Sequence, residues 1–124
     1  MSNSLAAIKF GSQVANCQPK ALVFIDANID DHQYLASGVL DGLEVRILPQ
    51  NRDGILAIAT ELHKFAAING PIDAVHIVSH GSPGQLQLGT ATLNSQTLKQ
   101  YETLLQYWKY LLSEDADLLI YGCN

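Results

Sequence analysis

Basic residues are scarce in this chain. Seven lysines and arginines stand against twelve aspartates and glutamates, a net charge of −5. No Lys/Arg cluster occurs, which argues against nucleic acid as a partner. Long apolar runs are also missing. None approaches the ~18–20 residues needed to span a bilayer, so no membrane insertion is expected. The first residues lack a basic start and Lys9 interrupts them, so they do not read as a secretory signal. Cysteine is nearly absent. Cys17 and Cys123 lie far apart, with no CxxC or Cys/His ligand spacing, so a structural zinc is not expected, nor any other metal or cofactor. Nothing in the sequence brings the two thiols together, and a Cys17–Cys123 disulfide stays an open alternative. Charged residues make up only 15% of the chain and hydrophobic residues 48%. That balance suits a packed core and argues against disorder. At 124 residues, one domain is expected.

Residues 1–19 read as a flexible leader, with room for a short edge strand at Ala6–Phe10. The domain proper spans residues 20–124. Ala21–Ile25 is apolar on both faces, which suits a central parallel strand. Asp30 and Asp31 then open a short helix through Leu35–Leu40. Leu43–Leu48 alternates Glu44 and Arg46 with Val45 and Ile47, as a strand nearer the sheet edge would. Asp53 caps a long helix that Asn69-Gly70-Pro71 ends, with His63 exposed on it. Asp73–Ser79 is a third strand, with His76 buried in it. Gln85–Leu88 and Ala91–Leu93 form a hairpin. A last helix runs from Asn94 or Ser95 to Leu112, with Trp108 and the tyrosines packed in the core. Residues 113–116 turn the chain, and Asp117–Tyr121 is the fourth core strand. Helices alternating with apolar strands predict an α/β fold with a mostly parallel sheet.

Chemistry gathers beyond the carboxyl ends of strands in open α/β sheets. Asp26, His80 and Cys123 all stand at such ends. If the third and fourth strands are neighbours, about 4.8 Å apart, His80 and Cys123 approach within one or two side-chain lengths. A thiol needs a base or a positive partner to ionise near neutral pH, and an imidazole suits that task. Gly81 gives a substrate backbone room, and its N–H can donate to a developing oxyanion. Gly122 gives Cys123 similar access. Taken singly, these residues have plainer readings: a histidine before a glycine turn shapes the turn, a strand-ending cysteine fills a core, and Asp26 caps a turn. The coincidence of the two strand ends is what favours chemistry. Other chemistries fit less well. His76 and His80 lie about 13 Å apart along a strand, too far to share a metal. Ser82 in Gly81-Ser82-Pro83-Gly84 lacks the spacing of a serine nucleophile elbow. The same glycines are too close together for a phosphate-binding loop.

A strand ending in His-Gly followed by a strand ending in Cys resembles the caspase, gingipain and legumain cysteine peptidases. The blocks His76–Gly84, Leu86–Gly89 and Ala116–Cys123, with Val23–Asp26, resemble more closely the bacterial family called domain of unknown function 4347. The first resemblance implies a caspase/gingipain-like three-layer α/β/α domain, here truncated after the fourth core strand. It implies a His80/Cys123 dyad, with Gly81 and Cys123 supplying oxyanion N–H groups and Asp26, Ser82 and Gly122 at the site edge. No third triad member is required. The expected activity is that of a cysteine endopeptidase: peptide-bond hydrolysis or self-processing, on a protein or peptide that includes the parent chain. Such domains occur near the front of large, often cyanobacterial, adhesin-type proteins, which implies a secreted or cell-surface setting. The competing expectation is a non-enzymatic N-terminal module or a fragment of such a protein. An exposed last strand would also give a homo-oligomer through the sheet edge.

Overall fold

A computed structural model describes residues 20–29 and 43–123. It is a mixed α/β arrangement of six strands and two helices. Strand β1 (Ala21–Asp26) is buried at every position, as its two-sided apolar sequence requires. Its neighbours are β2 (Glu44–Leu48) and β3 (Ile72–Ser82), both parallel to it. Among the described residues, strand β2 pairs with β1 alone and ends the sheet on that side. Its polar face carries Arg46, held by Glu44 and Glu61 at 3.0 Å each. On the other side of β3 lies β6 (Leu112–Cys123), again parallel. The upper end of β3 outruns β1 and turns back as β4 (Gln85–Leu88) and β5 (Ala91–Leu93), both antiparallel.

Helix α1 (Gly54–Asn69) starts where expected. Asp53 Oδ1 accepts from the N–H groups of Ile55 at 2.9 Å and Leu56 at 3.1 Å, two donors that a helix start leaves without partners. Gly70, at φ +84°, ends the helix and donates its N–H to Ala66 O at 2.8 Å. Ile55, Ile58, Ala59 and Leu62 form a buried stripe. They pack with Leu22 and Phe24 of β1, Val75 and Ile77 of β3, and Trp108 of α2 (Glu102–Leu111) in one core. Trp108 donates Nε1–H to Ile55 O at 3.3 Å, which ties the two helices. Both described helices therefore cover the same face of the sheet. On the opposite face, Val23, Ile25 and Ile29 are buried with Val45, Ile47 and Val78 against them.

Several expectations change. The last helix is shorter than its apolar stripe suggests. Asn94 Oδ1 accepts from Gln96 and Thr97 N–H at 2.9 and 3.0 Å, and Thr97 Oγ1 turns back to Thr92 O at 2.7 Å. This local network holds 94–97 as a turn, and a single 3-10 turn (Leu98–Tyr101) precedes α2. Residues 113–116 are not a separate turn. They are an irregularity inside β6, between the pairs Ile72–Leu112 and Ala74–Asp117. Strand β3 runs on to Ser82 because β4 pairs with its end. His76 is half-buried rather than buried. Its ring stacks on Tyr121 with centroids 6.0 Å apart. Trp108 is a core residue, but Tyr110 and Tyr121 are 81% and 45% exposed. His63 is exposed, as expected, and stacks on Tyr107. The sheet holds the hairpin strands as well as the four core strands, and the described helices lie on one of its faces. The leader, Cys17 and the helix through Leu35–Leu40 lie outside the described residues.

Candidate functional site

Strands β3 and β6 run in register up to their last residues, where His80 stands opposite Cys123. Along β3, His80 lies on the face of His76 and Val78, away from α1 and α2. The ladder between Ala74–Asp117 and His80–Cys123 has no break. Continuous pairing from Val75 and Leu118 upward thus brings the two strand ends level.

His80 Nε2 lies 2.7 Å from Asn28 O. A carbonyl only accepts, so Nε2 carries the proton and donates it. In a neutral ring the lone pair then sits on Nδ1. Asn28 belongs to a turn that Asp26 builds. Asp26 Oδ1 accepts from Asn28 N–H at 2.9 Å, and Asp26 O accepts from Ile29 N–H at 3.0 Å. The second carboxyl oxygen accepts from Gly89 N–H at 3.0 Å. Asp26 is fully buried. It joins the end of β1, the loop that holds His80, and the hairpin beyond β4. It is a positioning residue for the imidazole, reached through one backbone carbonyl.

The hairpin sits close. A Cβ on Gly81 would lie 2.6 Å from Gln85 O. The β3–β4 contact thus accounts for this glycine without any substrate. Gly89 has φ +60°, and a Cβ there would lie 2.0 Å from Arg52 O. In sequence Gly89 only separates the two hairpin strands, as an ordinary turn residue would. Only its contact with the start of α1, where Thr90 N–H also reaches Arg52 O at 2.8 Å, reveals why glycine is needed. Ser82 is exposed at the strand end and pairs with Gln85. Gly122 is exposed, with no atom within 4 Å of a Cβ built on it.

The pairing of two residues on the His80 face was not foreseen from sequence. His76 Nδ1 lies 3.2 Å from Tyr121 OH, and Tyr121 is the register partner of Val78. This pair makes a polar aromatic step one strand-turn below His80. Period-two spacing along both strands was the signal that could have found it. Ser79 is buried on the opposite face, and its Oγ has no hydrogen-bond partner among the described residues.

Two grooves lie away from His80. One, of 500 Å³, runs between β2 and α1 and is lined by Arg46, Arg52, Asp53 and Lys64, among others. The other, of 390 Å³, is apolar and lies between α2 and β6. Among the described residues no group of three or more His, Cys, Asp or Glu could hold a metal ion. No curated protein and no solved structure matches the chain. The model of one family, described as a domain of unknown function (DUF4347), matches residues 22–124, and the chain belongs to that family.

Proposed function

We propose that this domain is a cysteine peptidase-like unit in which His80 and Cys123 act as base and nucleophile. The observation that carries the reading is the register of His80 with Cys123 at the ends of adjacent parallel strands. The bond from His80 Nε2 to Asn28 O adds to it, since it leaves Nδ1 as the basic nitrogen of the neutral ring. In the proposed step, Nδ1 takes the thiol proton and the thiolate attacks a peptide carbonyl carbon. The carbonyl oxygen becomes an oxyanion, which the N–H groups of Gly81 and Cys123 would receive. As the tetrahedral adduct collapses, the imidazolium protonates the departing amine and a thioester remains. Water then attacks the thioester, giving a carboxylic acid and restoring the thiol. The substrate is a protein or peptide, including the parent chain. A three-layer α/β/α arrangement related to caspases, and a cell-surface setting, belong to the same proposal and rest on sequence resemblance.

The test is the alkylation rate of Cys123 by iodoacetamide against pH, with Cys17 as internal reference and His80→Ala alongside. An ordinary thiol ionises near pH ~8.5. The reading expects Cys123 to react fast well below that value and to lose this advantage in His80→Ala. A Cys123 rate that tracks Cys17 in both proteins would sink it, and would favour a non-enzymatic module.

A further inference from the structure

Among the described residues, strand β6 ends the sheet on the side opposite β2 and pairs only with β3. Its side chains are exposed on both faces: Leu118 47%, Leu119 38%, Ile120 47%, Tyr121 45%. Soluble proteins blunt such edges with lysine, proline or a charge pointing inward, and residues 118–122 contain none of these. On the helical side, Leu118 and Ile120 form one wall of the apolar groove, facing Leu105 and Trp108 of α2.

We infer that this edge pairs with the same edge of a second copy of the chain, antiparallel, about a two-fold axis at Leu119. The inference is independent of any catalytic role. Opposed residues in an antiparallel pair share a face. About that axis Leu118 meets Ile120 of the second copy, Leu119 meets its own counterpart, and Asp117 meets Tyr121. Apolar side chains meet apolar ones on both faces, and the two apolar grooves lie side by side on the helical side. Charge points to the same arrangement. The acidic residues of β6, Glu114, Asp115 and Asp117, are all at its start. Antiparallel pairing sets that end against the uncharged Tyr121-Gly122 end of the other copy. Aligned in parallel, the edges would place Asp117 against Asp117, which is costly between two chains each carrying −5. A two-fold contact is also closed, so association stops at two.

The experiment is sedimentation of the full chain over a range of concentrations, beside Ile120→Lys and Leu56→Lys. Leu56 is 52% exposed on α1, away from β6, and serves as the control. Circular dichroism checks that each variant folds. The expected result is a reversible monomer–dimer equilibrium. Ile120→Lys weakens it at least ~tenfold, and Leu56→Lys leaves it unchanged. Register is read by mild oxidation of single-cysteine proteins lacking Cys17 and Cys123. Leu119→Cys should cross-link, since paired Cα atoms at about 4.5–5.5 Å are within disulfide reach. Asp115→Cys should not. A wild-type monomer at every concentration would overturn the inference, as an edge covered by this chain's own N-terminal residues would produce. Open-ended aggregation, equal weakening by both lysine variants, or equal cross-linking at both sites would also overturn it.

Discussion

Replacing Asp26 by alanine tests how the histidine is held. Asp26 is fully buried, and its two carboxyl oxygens accept from Asn28 and Gly89 N–H at 2.9 and 3.0 Å. Asn28 is exposed, so water can take over its N–H, and losing that bond costs about 1 kcal/mol. Gly89 is buried. Its N–H would be left without a partner, at a cost of about 1–3 kcal/mol. The sum is about 2–4 kcal/mol, to be read as a lower urea midpoint at unchanged slope. Asparagine should recover only part of this, because its amide nitrogen would face one of the two N–H donors. The second readout is local. With the Asn28 turn loosened, the pH dependence of Cys123 alkylation should move toward that of His80→Ala, even where the protein is still folded. A loss of less than ~0.5 kcal/mol, within the range of ordinary surface substitutions, would refute the claim that Asp26 fixes this strand end. A full stability loss with an unchanged alkylation profile would refute only its link to His80.

Three further outcomes follow from single residues. Gly89→Ala should cost at least ~2 kcal/mol in urea unfolding, since its φ of +60° disfavours an L side chain and Arg52 O occupies the Cβ position. Ser79→Ala should be neutral or stabilising in the same assay, because it removes a buried hydroxyl that has no partner among the described residues; a loss above ~1 kcal/mol would mean that the hydroxyl is bonded. Tyr101 donates to Asp53 Oδ2 at 3.0 Å, and burial first, then this bond, raises its pKa above the ordinary value. The folded chain therefore holds the phenol proton longer than the unfolded chain does. The stabilisation is full below the ordinary tyrosine pKa of about 10 and is lost as pH rises through the folded value. Tyr101→Phe should cost about 1 kcal/mol near neutral pH and flatten the alkaline fall, measured as urea midpoints across that window.

Much of the sheet was legible because its strands are either apolar throughout, as in Ala21–Ile25, or cleanly alternating, as in Glu44–Ile47. Asp53 and Gly70 marked the long helix because a capping carboxylate and a left-handed glycine each perform one local task. The second helix misled for a related reason. The stripe from Leu98 to Leu112 has helical spacing, but the Asn94–Thr97 network and a 3-10 turn occupy its start. Local side-chain bonds of that kind compete with helix and leave no periodic trace. Exposure was harder still. Tyr121 sits in a run as apolar as β1, yet it faces solvent because β6 has a described strand on one side only. Sequence gives the period of a strand, not its place in the sheet.

At the candidate site, what could be read was the pair of strand ends; what could not be read was the support. Asp26 was legible as a turn-capping residue at the site edge, and it is close in the chain to the residue that matters. Yet its carboxyl group bonds backbone N–H groups, and the imidazole is held by the carbonyl of Asn28. A backbone carbonyl carries no residue signature, so no motif could have named it. It also cannot be removed by changing a side chain. Through that carbonyl, whatever fixes the path of the chain from Asp26 to Ile29 bears on the orientation of His80. Two backbone bonds contribute, Ala27 N–H to Leu48 O and Ile29 N–H to Asp26 O, each 3.0 Å, together with the Gln50 side chain, which donates Nε2–H to Ala27 O at 3.0 Å, and the Asp26 carboxyl group. Of the two side chains among these, Gln50 is exposed and Asp26 is fully buried, which makes Asp26 the stronger lever on the histidine although it lies one carbonyl away from it.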